Sequence, residues 1–70
     1  MVMNMVSVTS SKLTHVGFDS SAMILRIEFK DGVFEYYGVP ERVYNELMEA
    51  DSKGIYFKRY IKDRFRFVRV

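Results

Sequence analysis

The side chains best suited to chemistry gather at the end of the chain. Residues 52–70 hold seven basic side chains against the single carboxylate of Asp63, a local charge of +6. Lys53, Lys58, Arg59, Lys62, Arg64 and Arg66 are candidate phosphate contacts, because clustered cations are the footprint of an anionic partner. The rest of the chain has no such excess. Residues 1–22 are neutral, and residues 23–51 carry three basic and seven acidic groups. The plainer alternative is a solvated helix face whose charges meet that acidic middle segment.

Catalytic spacing is absent. His15 has Asp19 and several serines nearby, yet no nucleophile, base and orienting group stand at a recognised spacing, so no enzyme is expected. With no cysteine and one histidine, neither a disulfide nor a metal site is expected, and no cofactor. The lack of cysteine suits a reducing, cytoplasmic compartment. The opening MVMNMVSV has no Lys or Arg and only a short apolar run, so it reads as neither a secretion signal nor a membrane span. Ser52-Lys53-Gly54 offers a hydroxyl, an ammonium group and free backbone N–H groups at a helix start. It lacks the upstream glycine of a P-loop, so a plain N-cap is the reading preferred here.

Positioning these groups falls to a hairpin. Met23, Leu25, Ile27 and Phe29 alternate with Ile24, Arg26, Glu28 and Lys30, the period of a half-buried strand. Asp31-Gly32 suits a type I′ turn, which would give Gly32 a positive φ. That loop pairs Lys30 with Val33, Phe29 with Phe34, Glu28 with Glu35, Ile27 with Tyr36 and Arg26 with Tyr37. Leu25, Ile27, Phe29, Phe34 and Tyr36 then share the core face. Thr14 to Phe18 reads as the preceding strand, with Phe18 opposite Met23 and Val16 opposite Leu25. On the other face His15, Arg26 and Tyr37 form one row, with Tyr37 as a surface on which a base could stack.

The expected fold is α+β, one domain over residues 1–70. An antiparallel meander over about residues 14–37 is covered by two helices, about 40–50 and 53–62, with a last strand at about 64–69. Val43, Leu47 and Ala50 form the apolar stripe of the first helix, and Phe57, Tyr60 and Ile61 that of the second. Gly54, a poor helix former, suggests close backbone approach or a bent first turn. Met5 to Val8 reads as a short edge strand, and Met1 to Asn4 as a frayed end.

Taken together, Ser10-Ser11, Val16-Gly17-Phe18-Asp19, Phe34-Glu35-Tyr36, Gly38-Val39-Pro40, Tyr44, Ser52-Lys53-Gly54, Tyr56-Phe57 and Arg69-Val70 resemble the KTSC domain. That family takes its name from the C-terminus of some lysyl-tRNA synthetases and also occurs as small stand-alone bacterial or phage proteins. Its central motif is Tyr-x-Tyr; here Phe34 takes the first position, so that hydroxyl is missing. The resemblance implies a small domain suspected of binding RNA. Two functions follow as expectations: a non-enzymatic module binding tRNA or single-stranded RNA, or a protein-interaction module that docks on a larger assembly or on itself. No membrane partner is expected.

Overall fold

The computed structural model describes residues 3–70. Five antiparallel strands lie side by side in chain order: β1 (Met5–Ser7), β2 (Leu13–Asp19), β3 (Ile24–Phe29), β4 (Gly32–Tyr37) and β5 (Arg66–Arg69). Two helices, α1 (Glu41–Glu49) and α2 (Lys53–Tyr60), connect β4 to β5. The α+β architecture therefore agrees with the sequence reading. The last strand starts two residues later than expected, and the helices are trimmed at their ends. Met1 and Val2, part of the stretch read as frayed, lie outside the described residues. No helix among the described residues is long and apolar enough to cross a membrane.

The hairpin register differs from the expected one by two residues. Phe29 pairs with Gly32, Glu28 with Val33, Ile27 with Phe34, Arg26 with Glu35, Leu25 with Tyr36 and Ile24 with Tyr37. The loop is thus Lys30-Asp31, and neither residue has the positive φ of a type I′ turn. Gly32 lies in the strand without a positive φ, which corrects the turn assignment. Cross-strand charge explains the slip. The expected register set Glu28 against Glu35, whereas the observed one sets Arg26 against Glu35, and opposite charges are the favoured cross-strand pair. Gly32 has a different purpose: a Cβ there would stand 2.9 Å from Nη2 of Arg69, whose guanidinium donates to the Asp31 carbonyl at 2.7 Å.

A two-residue slip leaves every side chain on its face, because the pleat repeats every two residues. The same slip occurs between β2 and β3, where Phe18 pairs with Leu25 and Val16 with Ile27. The core face survives both. Leu25, Ile27, Val16 and Tyr36 are buried with Val39, Val43, Leu47 and Ile61. Tyr36 is buried, while Phe29 and Phe34 pack against this cluster from its edge and stay partly open, so all three lie on the expected core face.

Leu13 joins the core through a bulge. Simple alternation would place it with His15 and Gly17 on the open face. The register shifts between Leu13 and His15, so that Leu13 pairs with Phe29 and is 1% exposed. Thr14 is the extra residue, and its hydroxyl donates to the Glu28 carbonyl at 3.1 Å and to its Oε1 at 2.8 Å. Those bonds occupy the hydroxyl of the unpaired residue, the position a bulge leaves outside the ladder.

The helices pack by aromatic contact. Tyr44 of α1 stacks on Phe18, with ring centroids 5.1 Å apart. Phe57 of α2 meets Phe29 and Tyr36 edge-on at 5.1 and 5.5 Å, a favoured ring geometry. Ser52 caps α2 as expected, its Oγ accepting from the Ile55 N–H at 3.3 Å. Tyr60 does not pack inward: it is 51% exposed and rests on Tyr56, ring centroids 4.8 Å apart. Gly54 shows no close backbone approach, since a Cβ there would meet only the Lys12 side chain at ordinary contact distance.

Met23, in the loop between β2 and β3, carries a φ of 57° and is 41% exposed. A side chain in this left-handed region costs about 1–2 kcal/mol, and glycine's greater unfolded-state entropy offsets part of the relief. Met23→Gly is expected to raise stability by about 0.5–1 kcal/mol in urea unfolding; a loss of stability would mean that the Met23 side chain contributes packing that outweighs the strain.

Candidate nucleic-acid interface

The expected row of His15, Arg26 and Tyr37 does not exist. The observed register sets His15 opposite Glu28, Arg26 between Gly17 and Glu35, and Tyr37 between Ile24 and Arg66. Each carboxylate has its own partner. Glu28 Oε1 lies 2.5 Å from His15 Nδ1 and accepts the Thr14 hydroxyl. Glu35 accepts from Arg26 Nε at 2.8 Å, in an ion pair closed by Arg26 Nη2, and from the Tyr37 hydroxyl at 3.0 Å. Arg26 and Tyr37 are therefore held by one carboxylate rather than free for RNA. Of the expected row, only Tyr37 sits beside another candidate, Arg66.

These bonds tune the open face. The Thr14 hydroxyl, then His15, hold the Glu28 carboxyl below its usual 4.5. The Arg26 guanidinium, then the Tyr37 hydroxyl, hold Glu35 below it against the opposing effect of burial. A carboxyl whose pKa is lower folded than unfolded stabilises the fold above the unfolded value, and that contribution is lost as pH falls through the folded value. Stability should therefore decline as pH drops below about 4.5. Arg26→Gln should shrink the decline; urea unfolding from pH 3 to 7 reads it, and an unchanged acid limb would show that Arg26 does not set the Glu35 carboxyl.

The C-terminal cations lie on α2, on the turn after it and on β5. Lys53 is partly buried, its Nζ donating to the Ala50 carbonyl at 3.1 Å. Lys58 and Arg59 are exposed on α2. Lys62 is exposed on the turn after it, at the edge of a groove. Arg64 borders a cleft that also contains Arg42, Glu46 and Tyr56. Arg66 stands on the open face opposite Tyr37. Among the described residues, none of the five from Lys58 to Arg66 has a carboxylate within ion-pair distance. They stand solvated rather than paired with the acidic middle segment.

Two features escaped the sequence reading. Arg69 lies over the Phe34 ring, its Cζ 5.7 Å from the centroid. Beside it, between β4, β5 and α2, opens a groove of about 250 Å³ lined by Phe29, Phe34, Tyr36, Phe57 and Phe67, with Lys62, Asp63 and Asp31 among its borders. Burial, reinforced by the nearby Asp63 carboxylate, pushes the Tyr36 hydroxyl up to about 12. The alternation of Phe67 with Arg66 was the available signal, but it placed no second wall opposite the strand.

An antiparallel sheet of five strands, with two short helices packed on one face, defines a small α+β domain. Residues 9–65 match the model of the KTSC domain, and the chain belongs to that family. It is similar to the crystal structure of a KTSC domain protein from Yersinia pestis, with a TM-score of 0.96 and 36% identity over 99% of both chains. It is 37% identical to an uncharacterized protein of Stutzerimonas stutzeri, across 97% of this chain and 99% of that one. A lysine–tRNA ligase of Trichormus variabilis is 43% identical over 51 residues, 71% of this chain but only 9% of the ligase.

Proposed function

We propose that the domain binds RNA through the cations around β5, without catalysis. The observation that supports this best is the set of exposed cations from Lys58 to Arg66, left without carboxylate partners. Phosphate contacts of this kind supply affinity that is largely independent of sequence. The likeness to a segment of a lysine–tRNA ligase fits an appended module that helps hold tRNA, and a free-standing copy would hold RNA in the same way. Lys58, Arg59, Lys62 and Arg66 carry the phosphate contacts in this reading. Lys53 contributes less, because its ammonium group already donates to a carbonyl, and Arg64 borders a separate cleft. His15, Arg26 and Tyr37 remain candidates only if RNA displaces their internal bonds.

A second reading, docking on a protein, has one observation in its favour. β5 is an edge strand, and Phe67, Val68 and Val70 are 51%, 48% and 61% exposed. Titration of tRNA and of mixed single-stranded RNA at two salt concentrations separates the two. RNA binding predicts affinity at low salt that falls steeply as salt rises. No binding by micromolar protein at low ionic strength would exclude it and leave the edge strand as the better candidate.

A further inference from the structure

The aromatic groove holds ring faces and hydrogen-bonding groups together. Phe67 is half exposed, its ring 5.5 Å from that of Tyr36 and 6.1 Å from that of Phe34. Phe57 of α2 forms the facing wall. Tyr36 lines the groove, with the Asp63 carboxylate close enough to act on its hydroxyl, and that hydroxyl has no hydrogen-bond partner among the described residues. Lys62 and Asp63 stand side by side at the rim, and Arg69 reaches over Phe34 from β5.

We propose that this groove is a nucleobase pocket, in which one unpaired base of an RNA strand stacks on Phe67 while Asp63 and Tyr36 meet its edge. The proposal rests on the RNA-binding reading and adds to it a site and a base preference. Charge complementarity selects this occupant. An apolar peptide side chain would use the rings but make no use of Lys62, Asp63 or Arg69. A nucleotide engages the rings, Asp63 and the cations together: a π-face for the rings, an edge for the carboxylate, and phosphates for Lys62 and Arg69. An ionised carboxylate only accepts hydrogen bonds, so the edge it meets must donate. Guanine offers adjacent N1–H and N2–H donors. Uracil offers a single N3–H flanked by two carbonyl oxygens, which the carboxylate repels. The expected order is therefore guanine first and uracil last.

NMR titration of the labelled 70-residue chain with guanosine and uridine monophosphates tests the pocket directly. Shifts should centre on Phe34, Phe57, Lys62, Asp63 and Phe67, and be stronger for the guanosine nucleotide. Asp63→Asn should erase most of that preference. Phe67→Leu keeps apolar volume but removes the ring, and should weaken binding of a guanine-rich single-stranded oligonucleotide about tenfold, as loss of a stacking surface does. The same change should leave an abasic oligonucleotide of equal length unaffected. Shifts absent from the groove, an equal loss for both oligonucleotides, or concentration-dependent broadening at Phe67 without nucleotide would overturn the pocket, the last by showing the groove filled by a second copy. Salt-dependent RNA binding of undiminished affinity in Phe67→Leu would refute the pocket and spare the RNA reading. Groove shifts with mononucleotide, but no binding of RNA, would do the reverse.

Discussion

Ile27→Ala is expected to cost about 2–5 kcal/mol and so to leave the domain largely unfolded at 25 °C. Ile27 is fully buried in the central strand, paired with Val16 on one side and Phe34 on the other. A cavity there cannot collapse easily, because both neighbours are themselves held in ladders. The total stability of a chain this size is of the same order as the loss, since small domains bury a modest share of their surface. Phe34→Ala should cost distinctly less, because one side of that ring already faces the groove. Circular dichroism with urea unfolding compares the two variants. If Ile27→Ala proves no worse than Phe34→Ala, the placement of the core at the centre of the sheet is wrong.

Much of this core was legible because face assignment tolerates a register error. Both hairpin registers were read two residues off, yet Leu25, Ile27, Val16 and Tyr36 stayed on the buried face. What the error destroyed was the row on the other face, where the identity of the opposite residue matters. His15, Arg26 and Tyr37 seemed to converge, and instead the carboxylates Glu28 and Glu35 divide them. The turn dipeptide Asp31-Gly32 misled because local turn preference was weighed without cross-strand charge. The glycine serves the approach of Arg69, thirty-seven positions away by sequence number, which no local pattern announces.

The bulge was hidden for a similar reason. The alternation reads as a strand starting at Thr14 and leaves Leu13 outside it, and only the register shift and the bonds from Thr14 to Glu28 identify the extra residue. Helical periodicity located both helices but misjudged Tyr60. In a helix of 8 residues the apolar stripe is short: Phe57 packs on the core and Ile61, just past the helix end, is buried as expected, whereas Tyr60 is exposed. The cations of the candidate interface were read from composition alone. Their lack of partners, and the groove beside Lys62, depend on how α2 and β5 are brought together.

Replacing Lys58, Arg59 and Lys62 by Gln together is expected to weaken binding to every RNA sequence alike and leave the fold intact. All three side chains are exposed, and none makes an internal ion pair among the described residues, so stability should barely change. Binding should respond strongly, because each cation that neutralises a phosphate releases condensed counterions. Each lost contact lowers the slope of log affinity against log salt by about 0.7 for a single strand and about 0.9 for a duplex. Three lost contacts therefore flatten the slope by about 2–3. Affinity at low salt should fall far more than at high salt, where counterion release contributes little in either protein. Filter binding or fluorescence anisotropy over a salt series measures both quantities. A uniform drop in affinity with the slope unchanged would mean that these cations do not touch phosphate, and would move the interface to Arg66 and the open face of the sheet.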